Sequence, residues 1–333
     1  ASRADVWYTK ARAHKPPNAK TGLTSILIEN AEFSCEIYEF AAHVTSWKSK
    51  SDLEVWKFKP ELLFCSERAV FDGKRAIRGG IPICWPQFGK FGSCENQHGF
   101  ARNSFWTFSE CVEDVEEQMI KAKFVLRENE ESLRDFPYKF ELVYEVTLKE
   151  NELISELICT NMESEKEFEF TTALHTYFGV KSITDAVVKG LNGVRYTDSL
   201  TNDTDASGKK KILFDGEEEI VFDREVDRIY RRNVSLAHEK NLEIIDRIWE
   251  EPGVLAQQTR GIAMKIDNLI DAVVWNPWID KSKAMGDFGD EEYKNMLCVE
   301  AAKIDEPVRL KPKQTWSGSQ TLTAVINLAH LSV

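Results

Sequence analysis

The chain has no apolar run near the roughly 20 residues that a membrane-spanning helix needs, so it reads as a soluble protein with no membrane partner. Positive charge is scarce: 43 Lys and Arg face 55 Asp and Glu, a net charge of −12. A surface this negative repels a phosphate backbone, which excludes nucleic acid as a nonspecific partner. Any anion the protein holds must be caught by a local cluster of cations. The seven cysteines (Cys35, Cys65, Cys84, Cys94, Cys111, Cys159, Cys298) include no CxxC pair. Their odd number and wide spacing argue against a disulfide scaffold and a zinc site, and for free thiols in a reducing compartment such as the cytoplasm. The six histidines (His14, His43, His98, His175, His238, His330) show no ligand spacing, so no metal is expected. Helical stripes are few, and no internal repeat or low-complexity segment is present.

Period-two alternation is abundant instead. In 140–149 the even positions Phe140, Leu142, Tyr144, Val146 and Leu148 are apolar and most odd positions polar, which predicts a strand with one buried face. The same alternation marks 32–38, 121–126, 153–160, 166–180, 261–266, 296–302 and 320–327. So many strands must close on one another or pack face to face to remove their edges, which predicts an all-β, mainly antiparallel fold with few short helices. At 333 residues with 42% hydrophobic content, the chain can bury a large core. Composition does not decide between one large β-domain and two smaller ones; we expect one over 23–333, acting as a monomer.

Residues 1–22 carry Arg3, Lys10, Arg12, Lys15 and Lys20 against Asp5 alone and have no secretory apolar core. They read as a basic lead-in, as the remnant of an organelle transit segment (a plastid, for example), or as a cloning-derived leader. The Lys209-Lys210-Lys211 run after 202–208, and the acidic run from Glu110 to Glu117, read as solvated charge. Residues 236–258 look irregular, as an insertion would.

The stretch Lys74-Arg75-Ala76-Ile77-Arg78-Gly79-Gly80-Ile81-Pro82-Ile83-Cys84-Trp85-Pro86-Gln87-Phe88-Gly89, with Gln97-His98-Gly99-Phe100-Ala101-Arg102-Asn103, is of another kind. Its glycines and prolines forbid an ordinary helix or strand, and loops braked in this way hold ligands. Arginine offers a fixed fork of donors that suits phosphate or carboxylate, so Arg78 and Arg102 point to a small anionic ligand.

These residues, with Leu174-His175-Thr176-Tyr177, Val226-Asp227-Arg228-Ile229-Tyr230, Trp275-Asn276-Pro277-Trp278 and Cys298-Val299-Glu300-Ala301-Ala302, resemble the glucose-6-phosphate 1-epimerases, the hexose-6-phosphate mutarotase branch of the aldose 1-epimerase superfamily. The resemblance runs from about Thr24 to about Ala324, with five motifs in the family's order. It implies a galactose-mutarotase-like β-sandwich (a supersandwich) with the sugar in a groove on one sheet. It also implies interconversion of the α and β anomers of hexose 6-phosphates.

That chemistry needs a base for the C1 hydroxyl proton and an acid for the ring oxygen, with no metal or cofactor. By the resemblance His175 is the acid. Alternation alone puts His175 on the face opposite Phe168, Phe170, Leu174 and Phe178, where a structural histidine is the ordinary reading. Glu300, the resemblance's base, is the one charge in a run that reads as a core strand. Buried there it must find partners or take up a proton, and a structural ion pair is the alternative. By the resemblance Arg78 and Arg102 clamp the 6-phosphate, with Gln97 nearby; both arginines lie in loops with few acids adjacent in sequence. His98 either bonds a sugar hydroxyl or braces the loop. Asp227 matches the aspartate that orients sugar hydroxyls and the histidine, though Asp223 and Arg228 suggest a structural network. The indole of Trp275 suits stacking on a sugar's C–H groups, as does that of Trp278, and core packing is the alternative. Lys281 and Lys283 add positive charge nearby. Cys84 and Cys298 read as small buried hydrophobes. Two other functions stay open: an aldose 1-epimerase acting on unphosphorylated sugars, and a sugar-phosphate-binding module without turnover.

Overall fold

A computed structural model describes residues 10–13, 21–51, 60–205, 210–232, 241–247, 249–251, 254–255 and 259–326. Their strands pair antiparallel throughout. The largest sheet runs Glu219–Ile220, Ala186–Lys189, Leu242–Asp246, Arg260–Asp267, Thr315–Ile326, Glu152–Asn161, Phe140–Lys149, Met119–Arg127, Thr107–Asp114. A second runs Leu213–Phe214, Arg195–Asp198, Val226–Arg231, Asp271–Asn276, Met296–Leu310, Phe168–Leu174, Ile83–Cys84, with Tyr177–Gly179 also paired to Met296–Leu310. A third is made of Lys10–Ala13, Ser25–Glu29, Phe33–Tyr38 and His43–Ser49. This is the mainly antiparallel all-β fold that the alternation predicts and the β-sandwich that the resemblance implies.

The alternation decides which face each strand buries. Phe140, Leu142, Tyr144, Val146 and Leu148 are all fully buried, and they meet Val274, Leu297, Val299 and Ala301 of the second sheet in one core. Each such aliphatic or aromatic side chain contributes about 1.5–3 kcal/mol when taken from water. The third sheet closes the core with Ile26, Ile28, Cys35, Ile37 and Trp47. Isolated bridges from Val44 to Ile81 and from Lys48 to Glu61 tie its last strand to the segments that follow, and a bridge from Leu63 to Phe178 ties one of these to the site-bearing sheet.

Three sequence expectations change. The strand read over 166–180 is not continuous: it slips register between Phe170 and Thr172 and breaks after Leu174. There the Thr176 amide donates back to the Leu174 carbonyl at 2.9 Å, closing a γ-turn centred on His175. The amides of His175 and Tyr177 donate to Pro82 and Gly80, so the loop takes the place of a neighbouring strand. Within 236–258, Leu242–Asp246 is a regular strand of the largest sheet and Trp249–Glu251 pairs with Val254–Leu255; residues 233–240, 248, 252–253 and 256–258 lie outside the described residues. In the basic lead-in, Lys10–Ala13 pairs with Ser25–Glu29, and residues 1–9 and 14–20 lie outside the described residues.

The loop that carries Arg78 depends on two glycines. Gly79 and Gly80 have φ of +118° and +63°, and a Cβ on Gly80 would fall 2.1 Å from the Val44 carbonyl oxygen. We expect Gly80→Ala to destabilise the protein by about 3 kcal/mol, through left-handed strain and backbone overlap together. Urea denaturation measures this, and a change below about 1 kcal/mol would mean that the loop relaxes freely.

Candidate active site

Strand register assembles the site. Ala173 and Leu174 pair with Ala302 and Ala301, and beyond the γ-turn Tyr177 and Phe178 pair with Cys298 and Leu297. The same register holds on both sides, so His175 lies opposite Glu300. Glu300 pairs in turn with Val273, and Val273 with Ile229. The adjacent row is Tyr177, Cys298, Trp275, Asp227. Directly opposed residues share a face, so both rows look away from the core that Leu174, Val274, Val299 and Ala301 fill.

A cavity of about 480 Å³ opens on that face. Arg78, Gln97, His98, Arg102, His175, Asp227, Trp275 and Glu300 all line it. The eight side chains predicted from sequence thus meet in one place, from five separate segments.

His175 Nε2 lies 3.4 Å from Glu300 Oε1. The imidazole is 8% exposed and the carboxyl 1%. Glu300 Oε2 is buried without a hydrogen-bond partner, and His175 Nδ1 has none beyond its own backbone. Burial pushes the Glu300 carboxyl well above the ordinary range, Asp227 repels its charge further, and Arg102 opposes both. Burial likewise drives the His175 imidazole well below its usual value, with His98, Arg102 and Arg78 adding repulsion. Both effects favour uncharged forms, and buried polar atoms without a protein partner beside a cavity suit a ligand with hydroxyls.

Arg78 is less free than its sequence neighbourhood suggests. Asp287, 209 residues away, accepts from its Nε at 3.3 Å and lies 3.2 Å from Nη2. Nη1 donates to the Tyr177 phenol oxygen at 3.1 Å. The Asp287 loop is itself anchored: Glu292 accepts from the Ser66 hydroxyl and the Glu67 and Gly289 amides, and Arg68 pairs with Asp290 at 2.8 Å. Guanidinium carries five N–H donors, so after these contacts one remains on each terminal nitrogen for an incoming anion. Arg102, in the 3-10 turn Ala101–Asn103, donates from Nη2 to the Gln97 carbonyl at 2.9 Å, while its buried Nε has no partner.

Gln97 therefore holds Arg102 through its backbone while its exposed side chain borders the cavity. The glutamine that shapes the loop is Gln87: its buried amide donates to the carbonyls of Gly89, Cys94 and Asn96 and accepts from the Cys94 amide. His98 braces the loop and faces the cavity at once. Its Nδ1 accepts from the Gly89 amide at 3.1 Å, which leaves its proton on Nε2. Burial, then Arg102 and Arg78, push it down to about 3.

Asp227 is raised by burial and by Glu225 and Asp198, against the pull of Lys281 and a hydrogen bond from Ser199. No hydrogen bond joins it to His175 among the described residues. Arg228 turns instead to Asp215, Tyr230 and the Tyr196 ring, so the structural network suspected there belongs to Arg228. Trp275 stands edge-on to both His175 and Tyr177, at centroid distances of 6.0 and 5.9 Å. Trp278 packs against Tyr293 away from the cavity, as a core residue would. Lys281 lines the cavity, 3.7 Å from Asp227 and over the Trp275 ring, whereas Lys283 is exposed outside it. Cys84 and Cys298 are buried, and burial raises both thiols, so neither is poised as a nucleophile.

Sequence reasoning gave no role to Tyr177, Asp287 or Ser199. Alternation already puts Tyr177 on the face of His175, a signal that could have been used; nothing local marks Asp287. No three His, Cys, Asp or Glu side chains among the described residues converge to hold a metal ion.

The sequence model of the aldose 1-epimerase family matches residues 24–323. A "Putative glucose-6-phosphate 1-epimerase" of Cenchrus ciliaris is 40% identical over 312 residues, 92% of this chain and 86% of that one. A protein of the same name from Escherichia coli strain K12 is 33% identical, over 85% and 84% of the two chains. The crystal structure of a "putative mutarotase" from Salmonella typhimurium superposes with a TM-score of 0.73 at 26% identity, covering 96% of this chain and 94% of that one. The family model and these relatives agree, and the chain belongs to the aldose 1-epimerase family.

Proposed function

We propose that this isomerase interconverts the α and β anomers of hexose 6-phosphates, chiefly glucose 6-phosphate, with Glu300 and His175 moving the protons and Arg78 and Arg102 holding the phosphate. The observation that carries this reading is the register that sets His175 opposite Glu300 in a cavity also lined by two arginines. Glu300 takes the proton of the C1 hydroxyl while His175 gives one to the ring oxygen, and the C1–O5 bond opens. C1 then turns about the C1–C2 bond, and closure reverses both transfers, so each group returns to its starting state.

Substrate binding supplies the charges this step needs. Hydroxyl donors reach the unpartnered Glu300 Oε2 and favour the carboxylate. Burial depresses His175 most, and a phosphate dianion on Arg78 and Arg102 offsets the arginines' share of the depression, which favours protonation of the imidazole as the sugar arrives. His98 Nε2 and Asp227 are placed to bond ring hydroxyls, and Trp275 walls the sugar's C–H face. We take the enzyme to act as a monomer.

Two-dimensional exchange NMR on α- and β-glucose 6-phosphate tests the reading. We expect exchange well above the spontaneous rate, and a loss of about 10²–10⁴-fold in His175→Asn. Absence of acceleration by the wild type, or an undiminished rate in the variant, would sink it. Faster exchange of free glucose or galactose than of the phosphate would favour an unphosphorylated substrate. Binding without turnover would favour a sugar-phosphate-binding module.

A further inference from the structure

We propose that Tyr177 is a positioning residue that ties the anion clamp to the proton-transfer histidine, so that the grip on phosphate and the orientation of the imidazole are set through one aromatic ring. This rests on the function proposed above and deepens it.

Three observations support the coupling. The Tyr177 phenol oxygen accepts from Arg78 Nη1 at 3.1 Å, which fixes one edge of the guanidinium while Asp287 fixes another. The Tyr177 ring lies parallel to the His175 imidazole, with centroids 4.8 Å apart and planes 9° apart. Tyr177 is itself immobilised: it is 2% exposed, stacked with Phe64, met edge-on by Trp275, and bonded through its amide to Gly80 and its carbonyl to Phe64.

The chemistry of the pair follows. A phenol buried this deeply keeps its proton, since burial raises it further than Arg78 lowers it, so the oxygen offers Arg78 a neutral acceptor without competing for its charge. A parallel ring face restricts the imidazole to one plane, and an imidazolium formed there gains attraction to the aromatic π-cloud. The residues joined are Arg78 and His175, the phosphate ligand and the acid. A pull on one is felt at the other through a ring that cannot tilt without losing Phe64 or Trp275.

Two variants separate this from simple core packing. Tyr177→Phe keeps the stack and removes the acceptor. We expect KM for glucose 6-phosphate to rise about tenfold with a smaller fall in kcat, so that the preference for the phosphate over free glucose drops. Tyr177→Leu removes the stack as well, and we expect kcat to fall about tenfold further and the limbs of its pH profile to move. A third measurement serves if the Leu variant melts early. Titrating inorganic phosphate into the wild type should shift the His175 ring resonances, and in Tyr177→Phe that shift should shrink by at least half.

Equal proportional losses on both substrates in Tyr177→Phe, or an unchanged response of His175 to phosphate, overturns the coupling and leaves the anomerase reading standing. A wild type that accelerates no anomer exchange overturns both.

Discussion

Glu300→Gln is expected to lower kcat for anomer exchange about 10³–10⁴-fold and, at neutral pH, to raise the stability of the fold. The first effect follows from removing the proposed base while keeping the shape of the side chain. The second follows from where Glu300 lies. Its carboxyl is 1% exposed, one oxygen has no partner, and burial lifts its affinity for a proton well above the usual carboxylate range near 4.5. The linkage has a definite sign. A carboxyl whose folded pKa exceeds its unfolded one binds a proton more tightly in the native state, so the native state loses stability as pH rises through that window. Below the unfolded carboxylate range, wild type and amide should be nearly equal. Above it the gap should widen by up to about 1.4 kcal/mol per pH unit until the folded carboxyl ionises. Thermal melts of the two proteins from pH 4 to pH 8 read the gap directly. A difference that stays flat with pH would contradict the claim that burial holds the Glu300 carboxyl above its ordinary range.

The second large effect concerns the arginines. We expect the double substitution Arg78→Gln, Arg102→Gln to lower kcat/KM for glucose 6-phosphate about 10³-fold, since each charge-assisted contact to a dianion contributes about 1.5–3 kcal/mol. Free glucose should lose far less, so the preference between the substrates collapses. There is also a signature in pH. Arg102 and Arg78 both depress the His175 imidazole, so removing them raises its proton affinity. The limb of the free-glucose profile that reports the protonated acid should therefore move to higher pH. Matching losses on both substrates with an unmoved limb would place the anion elsewhere in the cavity.

Much of the fold was legible because period-two alternation is a local property. The strands at 140–149 and 153–160 carry it in their own residues, and their pairing buries the predicted face. The outward facing of His175 was legible for the same reason. Roles for His175, Glu300, Arg78 and Arg102 needed the family resemblance, since alternation says which way a side chain points and not what it does. Three features were hidden. The γ-turn at His175 arises because the segment 80–86 accepts amides that a neighbouring strand would otherwise take, and that competition depends on tertiary position. The Arg78–Asp287 pair spans 209 residues and is written in neither neighbourhood. The choice between Gln97 and Gln87 as the organising glutamine turns on burial, which two glutamines ten residues apart do not reveal.

The rows that cross the second sheet carry a consequence for how this chain comes to be native. His175, Glu300, Val273 and Ile229 share a face only in the observed register, with Leu174, Val299, Val274 and Tyr230 on the other side. A slip of one residue between any two of these strands would drive an acidic group into the hydrocarbon interior and turn valines out to water. The acidic group proposed to move the C1 proton thus also disfavours a mispaired sheet, because a slipped register would bury it among hydrocarbon side chains.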